Sequence, residues 1–237
     1  MGRLTIIATP IGNLEDISQR AISALKEADF LLAEDTRKLS KLIQAISSTY
    51  ADIEIQGQKI RFDDHTEQKE IPRVIEWLDQ NLNVVLVSDA GTPLVSDPGF
   101  YLVKTLTRLG THEITSIPGP SAVTNALVLS GLPPYPFMFL GYLPKKKGEL
   151  LSKFSTSKAI HDEISTTFIC FESPYRIIQT LKILSESEFK DIKIVILSEM
   201  TKQYEKRLSG TAEALISALE EYYAQPKGEF VMLWHFG

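Results

Sequence analysis

The sequence contains a single cysteine, Cys170, in 237 residues. That excludes an internal disulfide and a cysteine-built zinc site, and it fits a reducing cytoplasm, where we place the protein. Cys170 lies within the apolar run 168–171 and reads as a small core residue rather than a nucleophile. No apolar run approaches the ~20 residues of a membrane span. The N-terminal stretch, interrupted at Pro10, is too short for a signal peptide and reads as a first strand. Histidine is scarce, and only His65 stands among carboxylates (Asp63, Asp64, Glu67), where a metal site competes with a solvated loop; no metal is expected. Positive charge is not in excess: 25 Lys+Arg against 30 Asp+Glu give a net charge of −5. That is unlike a protein that coats nucleic acid non-specifically, and neither DNA nor a membrane is an expected partner, although a local basic patch remains compatible. The dinucleotide fingerprint GxGxxG, the P-loop lysine motif, the nucleophile elbow and HExxH are all absent.

Short apolar runs that stop in loops rich in Gly, Pro, Asp and Ser are abundant. The clearest is Val84 to Val87, followed by Ser88 to Gly99, which holds two Gly, two Pro, two Asp and two Ser. Such a run reads as a buried parallel strand ending in a tight loop, and ligands in open α/β sheets sit outside the carboxyl ends of such strands. Leu4 to Ala8 and Phe30 to Ala33 are similar runs, and helical spacing follows each of them. Lys59 to Phe62 is a weaker strand candidate, and Ile71 to Leu82 a helix with Pro72 in its first turn. Repeated strand–loop–helix units predict an N-terminal domain, residues 1–117, with a mostly parallel sheet.

Pro118-Gly119-Pro120 marks the break. Beyond it, residues 118–237 form a second α/β domain with less regular crossovers and an expected mixed sheet: strands Phe137 to Leu140, Thr166 to Phe171, Ile192 to Leu197 and Phe230 to Trp234, and a turn at 207–211. The ligand cleft is expected between the two domains.

Five strand ends carry Gly, Pro, or a carboxylate with a hydroxyl: residues 9–16, 34–37, 88–99, 118–122 and 172–176. Small residues there let the backbone approach a ligand and offer its N–H and C=O groups, which suits an adenosine-like, cationic ligand better than a bare polyphosphate. Candidate proton acceptors are Glu34, Asp35, Asp89, Asp97 and Glu172, although Asp35 and Asp97 also read as helix caps. Arg37 and Arg176 suit bidentate phosphate contact or ion pairs with Glu34 and Glu172. Lys145 to Lys147 suit either RNA phosphates or a solvated loop.

The blocks Thr9-Pro10-Ile11-Gly12-Asn13-Leu14-Glu15-Asp16-Ile17, Ala33-Glu34-Asp35-Thr36-Arg37, Ser88 to Gly99, Ile117 to Ala122 and Phe171-Glu172-Ser173-Pro174-Tyr175-Arg176, with Lys227-Gly228-Glu229, resemble the tetrapyrrole-methylase superfamily. Within it they resemble most the bacterial 16S rRNA cytidine 2′-O-methyltransferases, in a short form lacking those proteins' usual C-terminal extension. The loop 63–67 keeps only His65 and Glu67 of the relatives' fuller Tyr-His-Glu-His-Asn-Glu pattern. The resemblance implies a homodimer that binds S-adenosylmethionine and acts on small-subunit rRNA or the ribosomal particle. Its cofactor would meet Pro10, Ile11, Ala90, Gly91, Thr92, Val95, Ser121, Ala122, Glu172 and Met200, with Asp89, Glu34 and Arg37 as the catalytic candidates. A tetrapyrrole or other small acceptor, and a non-catalytic cofactor-binding protein, are the competing readings.

Overall fold

The structure is a computed structural model that describes residues 2–50, 53–222 and 228–237; Lys227 lies outside the described residues. The chain divides into two compact units, Met1–Ser121 and Ala122–Gly237.

The first unit is built on strands β1 (Arg3–Ile7), β2 (Phe30–Ala33), β3 (Gln58–Arg61), β4 (Asn83–Val87) and β5 (Glu113–Ile117), in sheet order β3-β2-β4-β1-β5. Every neighbouring pair is parallel. The crossovers are α1 (Gln19–Lys26), α2 (Thr36–Thr49), α3 (Glu67–Asp79) and α4 (Phe100–Leu109). Side-chain alternation sorts them into two layers. Ile7, Leu31, Ala33, Val85 and Val87 pack on the face covered by α1 and α2, whereas Leu4, Leu32, Val84 and Leu86 pack on the face covered by α3 and α4. With both faces covered, the central strands are continuous apolar runs. The chain therefore leaves β1 and β2 on one face and β4 on the other. Strand β4 lies between β1 and β2, so both of its edges are switch points, where α/β sheets open a crevice for ligands.

The second unit contains β6 (Phe137–Tyr142), β7 (Thr167–Glu172), β8 (Lys193–Ser198), β9 (Lys206–Gly210) and β10 (Phe230–His235), in order β6-β7-β10-β8-β9. β6 and β7 run parallel and the other pairs antiparallel, which makes the sheet mixed. Helices α5 (Ala122–Ser130), α6 (Lys147–Glu163), α7 (Ile177–Ser185) and α8 (Ala212–Tyr222) complete the unit. Its core stacks Trp234 on Phe154 and Phe168, and buries Cys170. Among the described residues no helix is long and apolar enough to cross a membrane.

Three local expectations are corrected. Residues 207–210 of the segment expected as a turn at 207–211 belong to β9, an edge strand paired with β8; the exposed Lys206 and Arg207 of β9 hid the strand, and charge on an edge strand discourages further pairing. Helix α3 starts at Glu67, so Pro72 lies inside it rather than in its first turn; the carbonyl that Pro72 has no N–H to bond belongs to solvent-exposed Gln68. Asp97 does not cap α4. The N-cap is Gly99, whose φ of 124° no side-chain-bearing residue adopts comfortably, and no N-cap side chain bonds to the helix.

The cap of α4 comes instead from Glu67, which is buried and accepts a hydrogen bond from the Leu102 N–H at 3.0 Å. This carboxylate joins the starts of α3 and α4 and satisfies a helix donor that would otherwise be orphaned. Replacing Glu67 with Ala is expected to destabilise the first unit by roughly 1–3 kcal/mol, because a buried donor loses its partner. Glu67→Gln retains an acceptor and should cost less. Urea unfolding of the two variants measures the difference.

Candidate functional site

Three loops of the first unit meet at the carboxyl ends of β1, β4 and β5. Thr9 and Gly91 exchange two backbone hydrogen bonds, of 2.8 and 3.0 Å, forming an isolated antiparallel bridge beside a parallel sheet. The buried Thr9 hydroxyl donates to the Ser88 carbonyl at 3.2 Å, and the Ser88 hydroxyl to the Gly91 carbonyl at 2.8 Å. Thr92 Oγ1 reaches the Pro120 carbonyl at 3.1 Å. Gly91 has φ 89°, and a Cβ there would stand 3.3 Å from Ile11 Cγ2. Leu94 and Ser96 also have positive φ, 70° and 69°. Such conformations in residues with side chains cost of order 1 kcal/mol each and cluster at ligand-handling loops. The loops thus gather Pro10, Ile11, Ala90, Gly91 and Thr92; Val95 lies half-buried further along the same loop, and Ser121 follows Pro120.

On the other side of β4 the same loop faces the end of β2. Asp89 Oδ1 accepts from the Asp35 N–H at 3.1 Å, and its Oδ2 pairs with Lys38 Nζ at 2.7 Å. Glu34, Arg37 and Asp89 line a cavity of about 520 Å³ together with Arg61, Asp63, Asp64 and His65. Burial, and after it the charge of Asp89, raises the Glu34 pKa, against the pull of Lys38. Asp97 is raised to about 7, first by burial and then by Glu34 and Asp89. Asp35 caps α2 through the Arg37 N–H and takes the Arg37 guanidinium at 3.0 and 2.7 Å. That side-chain bond holds the Asp35 carboxyl well below the usual range. The ion pair of Arg37 is therefore with Asp35 and not with Glu34, and its side chain is 86% exposed at the cavity rim. Burial works to raise Asp63, but hydrogen bonds from Arg61, Thr66 and His65 outweigh it and its pKa lies below the ordinary value. Among the described residues no group of three or more His, Cys, Asp or Glu is arranged to hold a metal ion.

In the second unit, Glu172 and Ser198 flank Phe230 in register, so the loops after β7 and β8 leave the same edge of the sheet. The buried Glu172 carboxylate takes Ser173 N–H at 2.7 Å, the Arg176 guanidinium, and Thr180 Oγ1 at 2.7 Å. It is committed to shaping its own turn. Met200 is buried just beyond β8, 3.8 Å from Asn125 Nδ2 on the helix that Ala122 opens. Glu199 and Thr201, on either side of Met200, have positive φ (50° and 65°), and Thr201 Oγ1 is buried without a hydrogen-bond partner among the described residues.

The sequence reading missed Lys38 and Thr201, and underrated Asp97. Lys38 follows a Glu-Asp-Thr-Arg run and is the cation that Asp89 requires. Asp-Pro-Gly reads as a cap at 97–99, and only the tertiary neighbours of Asp97 reveal its charge environment.

Comparison with known proteins gives a consistent picture. The family model "Tetrapyrrole (Corrin/Porphyrin) Methylases" matches residues 3–216. A Bacillus subtilis protein named "Ribosomal RNA small subunit methyltransferase I" is 37% identical over 98% of this chain and 75% of its own length. A Thermotoga maritima protein of the same name is 36% identical over 98% of both chains, so a relative of similar length carries that name. Among solved structures, a diphthine synthase matches with a TM-score of 0.71 at 18% identity, covering 99% of this chain and 90% of that one. A cobalt precorrin-4 methyltransferase matches with a TM-score of 0.66 at 18% identity, covering 98% and 94%. These last two likenesses speak to the fold alone.

The raised Asp97 has a consequence for stability. Its pKa lies near 7 in the folded protein against an ordinary 3.8, so the folded state holds this proton more tightly than the unfolded chain does. Its contribution is most favourable below the unfolded value and is lost as pH rises toward 7. Asp97→Asn should therefore match the parent near pH 4 and exceed it at pH 8. The gain is expected at roughly 1–2 kcal/mol, after allowance for solvent screening of a part-exposed carboxyl. Thermal unfolding at the two pH values tests this.

Proposed function

This chain belongs to the Tetrapyrrole (Corrin/Porphyrin) Methylase family, and from that premise we propose that it transfers a methyl group from S-adenosylmethionine to the 2′-hydroxyl of a cytidine ribose in small-subunit (16S) ribosomal RNA. The observation that carries the reading is the likeness, across 98% of the chain, to two proteins named as small-subunit rRNA methyltransferases. Both are named for an rRNA substrate, which favours RNA over a tetrapyrrole acceptor. By the resemblance in its motifs the protein works as a homodimer.

When bound, S-adenosylmethionine supplies a methyl group on a positively charged sulfur. The residues present suit it. In the first unit, the backbone at Ala90, Gly91 and Thr92, with Pro10 and Ile11 opposite, forms a cradle that a Cβ at Gly91 would begin to fill. Val95 adds an apolar wall and Ser121 ends the unit. In the second unit, Ala122, the turn shaped by Glu172, and Met200 would contribute, next to Thr201, whose hydroxyl has no partner among the described residues. Apolar walls around a cation whose charge disappears during transfer favour the transition state by removing water.

On the acceptor side, a ribose hydroxyl must lose its proton as its oxygen–carbon bond forms. Glu34 and Asp89 are the proposed proton acceptors. Burial makes Glu34 a stronger base than a solvated carboxylate. Lys38 Nζ, 2.7 Å from Asp89 Oδ2, holds that carboxylate in place. Arg37, at the cavity rim, would meet a phosphate of the acceptor strand and fix its approach.

Two measurements test the reading. Small-subunit particles from a strain lacking this gene should accept labelled methyl from the purified protein at a ribose, detected as resistance of one linkage to alkaline hydrolysis. No incorporation into rRNA, with cofactor binding intact, overturns the acceptor. Gly91→Val should weaken S-adenosylmethionine binding at least about 30-fold, or ~2 kcal/mol, by titration calorimetry, while urea unfolding stays cooperative. Unchanged affinity removes this loop from the cofactor site.

A further inference from the structure

At one edge of the second unit, two tyrosines face solvent beside a run of lysines. β6 and β7 are parallel neighbours, so the loops that follow them leave the sheet together. The first follows Tyr142, the last residue of β6, and runs through Lys145 and Lys146 into α6 at Lys147; the second is the turn 172–176, with Tyr175 near its tip. Arg176 braces the two: one guanidinium nitrogen donates to the Leu143 carbonyl at 3.2 Å, the other to the Glu172 carboxylate. Within the turn, the Tyr175 N–H donates to Ser173 Oγ at 3.3 Å and the Arg176 N–H to the Ser173 carbonyl at 2.9 Å. Tyr142 packs edge-on against Phe171 at 5.6 Å yet stays 62% exposed, and Tyr175 is 93% exposed. Two aromatic residues thus stand outward on a fixed base.

The lysines run against local preference. The first turn of a helix favours carboxylates, because its free N–H groups carry partial positive charge, and the Lys146 N-cap makes no side-chain capping bond. Lys146 is offset by Glu149 at 3.0 Å and Lys147 by Glu186 at 3.5 Å. Lys145 is exposed and enters no ion pair among the described residues. An excess of positive charge beside exposed aromatic rings matches one partner chemistry well: a polyanion whose planar bases are unpaired. A duplex hides the base faces, and an acidic peptide or an anionic membrane uses the lysines but has no planar group for the rings.

We propose that Tyr142 and Tyr175, with Lys145 beside them, form a platform on which unpaired nucleotides of the RNA substrate stack, the lysine taking a backbone phosphate. The identity of that RNA rests on the rRNA reading above; the recognition of a single strand rests on these side chains. Stacking on an aromatic side chain is sequence-tolerant, so the platform orients the strand and leaves nucleotide choice to the catalytic unit.

The test uses the full chain, a fluorescent single-stranded oligonucleotide of small-subunit rRNA sequence, and the same sequence as a duplex, read by anisotropy. The parent should bind the single strand more tightly than the duplex. Tyr175→Ala and Tyr142→Ala should each weaken single-strand binding about fivefold or more, and Tyr175→Phe should restore it. Lys145→Ala should weaken all sequences alike and lower the salt slope by about one. Unchanged affinity in both alanine variants overturns the platform. So does a Phe variant as weak as the Ala variant, or a change of oligomeric state in sedimentation, which would make this surface a subunit contact. The two readings fail separately. Loss of RNA affinity in Tyr175→Ala without methyl incorporation by the parent overturns only the activity. Methyl incorporation with an unchanged KM for particles in the tyrosine variants overturns only the platform.

Discussion

The arrangement of the first unit depends on two backbone hydrogen bonds between Thr9 and Gly91. β1 and β4 are parallel, so an antiparallel bridge just beyond their ends requires the chain to turn back after β4. The positive φ of Gly91 makes that turn, and the absence of a side chain lets Ile11 close over it. The bridge holds the whole loop 88–99 across the end of the sheet. One side of it faces the β1 loop, the other the β2 loop, and the bare backbone and the carboxylates become two faces of one segment. Positive φ at Leu94 and Ser96 is the conformational cost of that placement.

The same placement sets the electrostatics. Asp89 meets the start of α2, where the Asp35 N–H and Lys38 Nζ receive it. Glu34 and Asp97 lie near enough to feel its charge, Asp97 feels that of Glu34 as well, and burial removes part of the water that would screen them. Glu34 and Asp97 therefore hold their protons more tightly than solvated carboxyls do. For the proposed transfer the raised Glu34 is useful, because a more basic carboxylate accepts a hydroxyl proton more readily. Asp35, by contrast, is spent on Arg37 and on capping, and Asp63 on the turn that starts α3.

The second unit reaches its site by another route. Its sheet is mixed, and the loops after β7 and β8 share an edge because both strands pair antiparallel with β10. The buried Glu172 fastens the turn after β7 with three hydrogen bonds, and through Arg176 that turn is tied to the loop after β6. Its two edge strands are treated differently. β9 ends the sheet in charge, which discourages pairing, whereas β6 exposes Phe137, Met138 and Tyr142.

The sequence by itself determined the apolar runs, the parallel character of the first sheet, the mixed second sheet and the glycine-bearing strand ends, because these follow from local periodicity and from residues with restricted or permissive backbones. Motif resemblance gave the family before any contact was known. Tertiary structure alone decided that Glu67, not Asp97, caps α4, that Arg37 pairs with Asp35, and that 206–210 is a strand rather than a turn. Each of these depends on a partner distant in sequence or on competition between equally suitable neighbours: Leu102 lies 35 residues from Glu67, and β9 exists only because β8 offers it an edge. Periodicity cannot report such pairings. The proton affinity of Asp97 was hidden for the same reason, since it is set by burial and by carboxylates that only folding brings near.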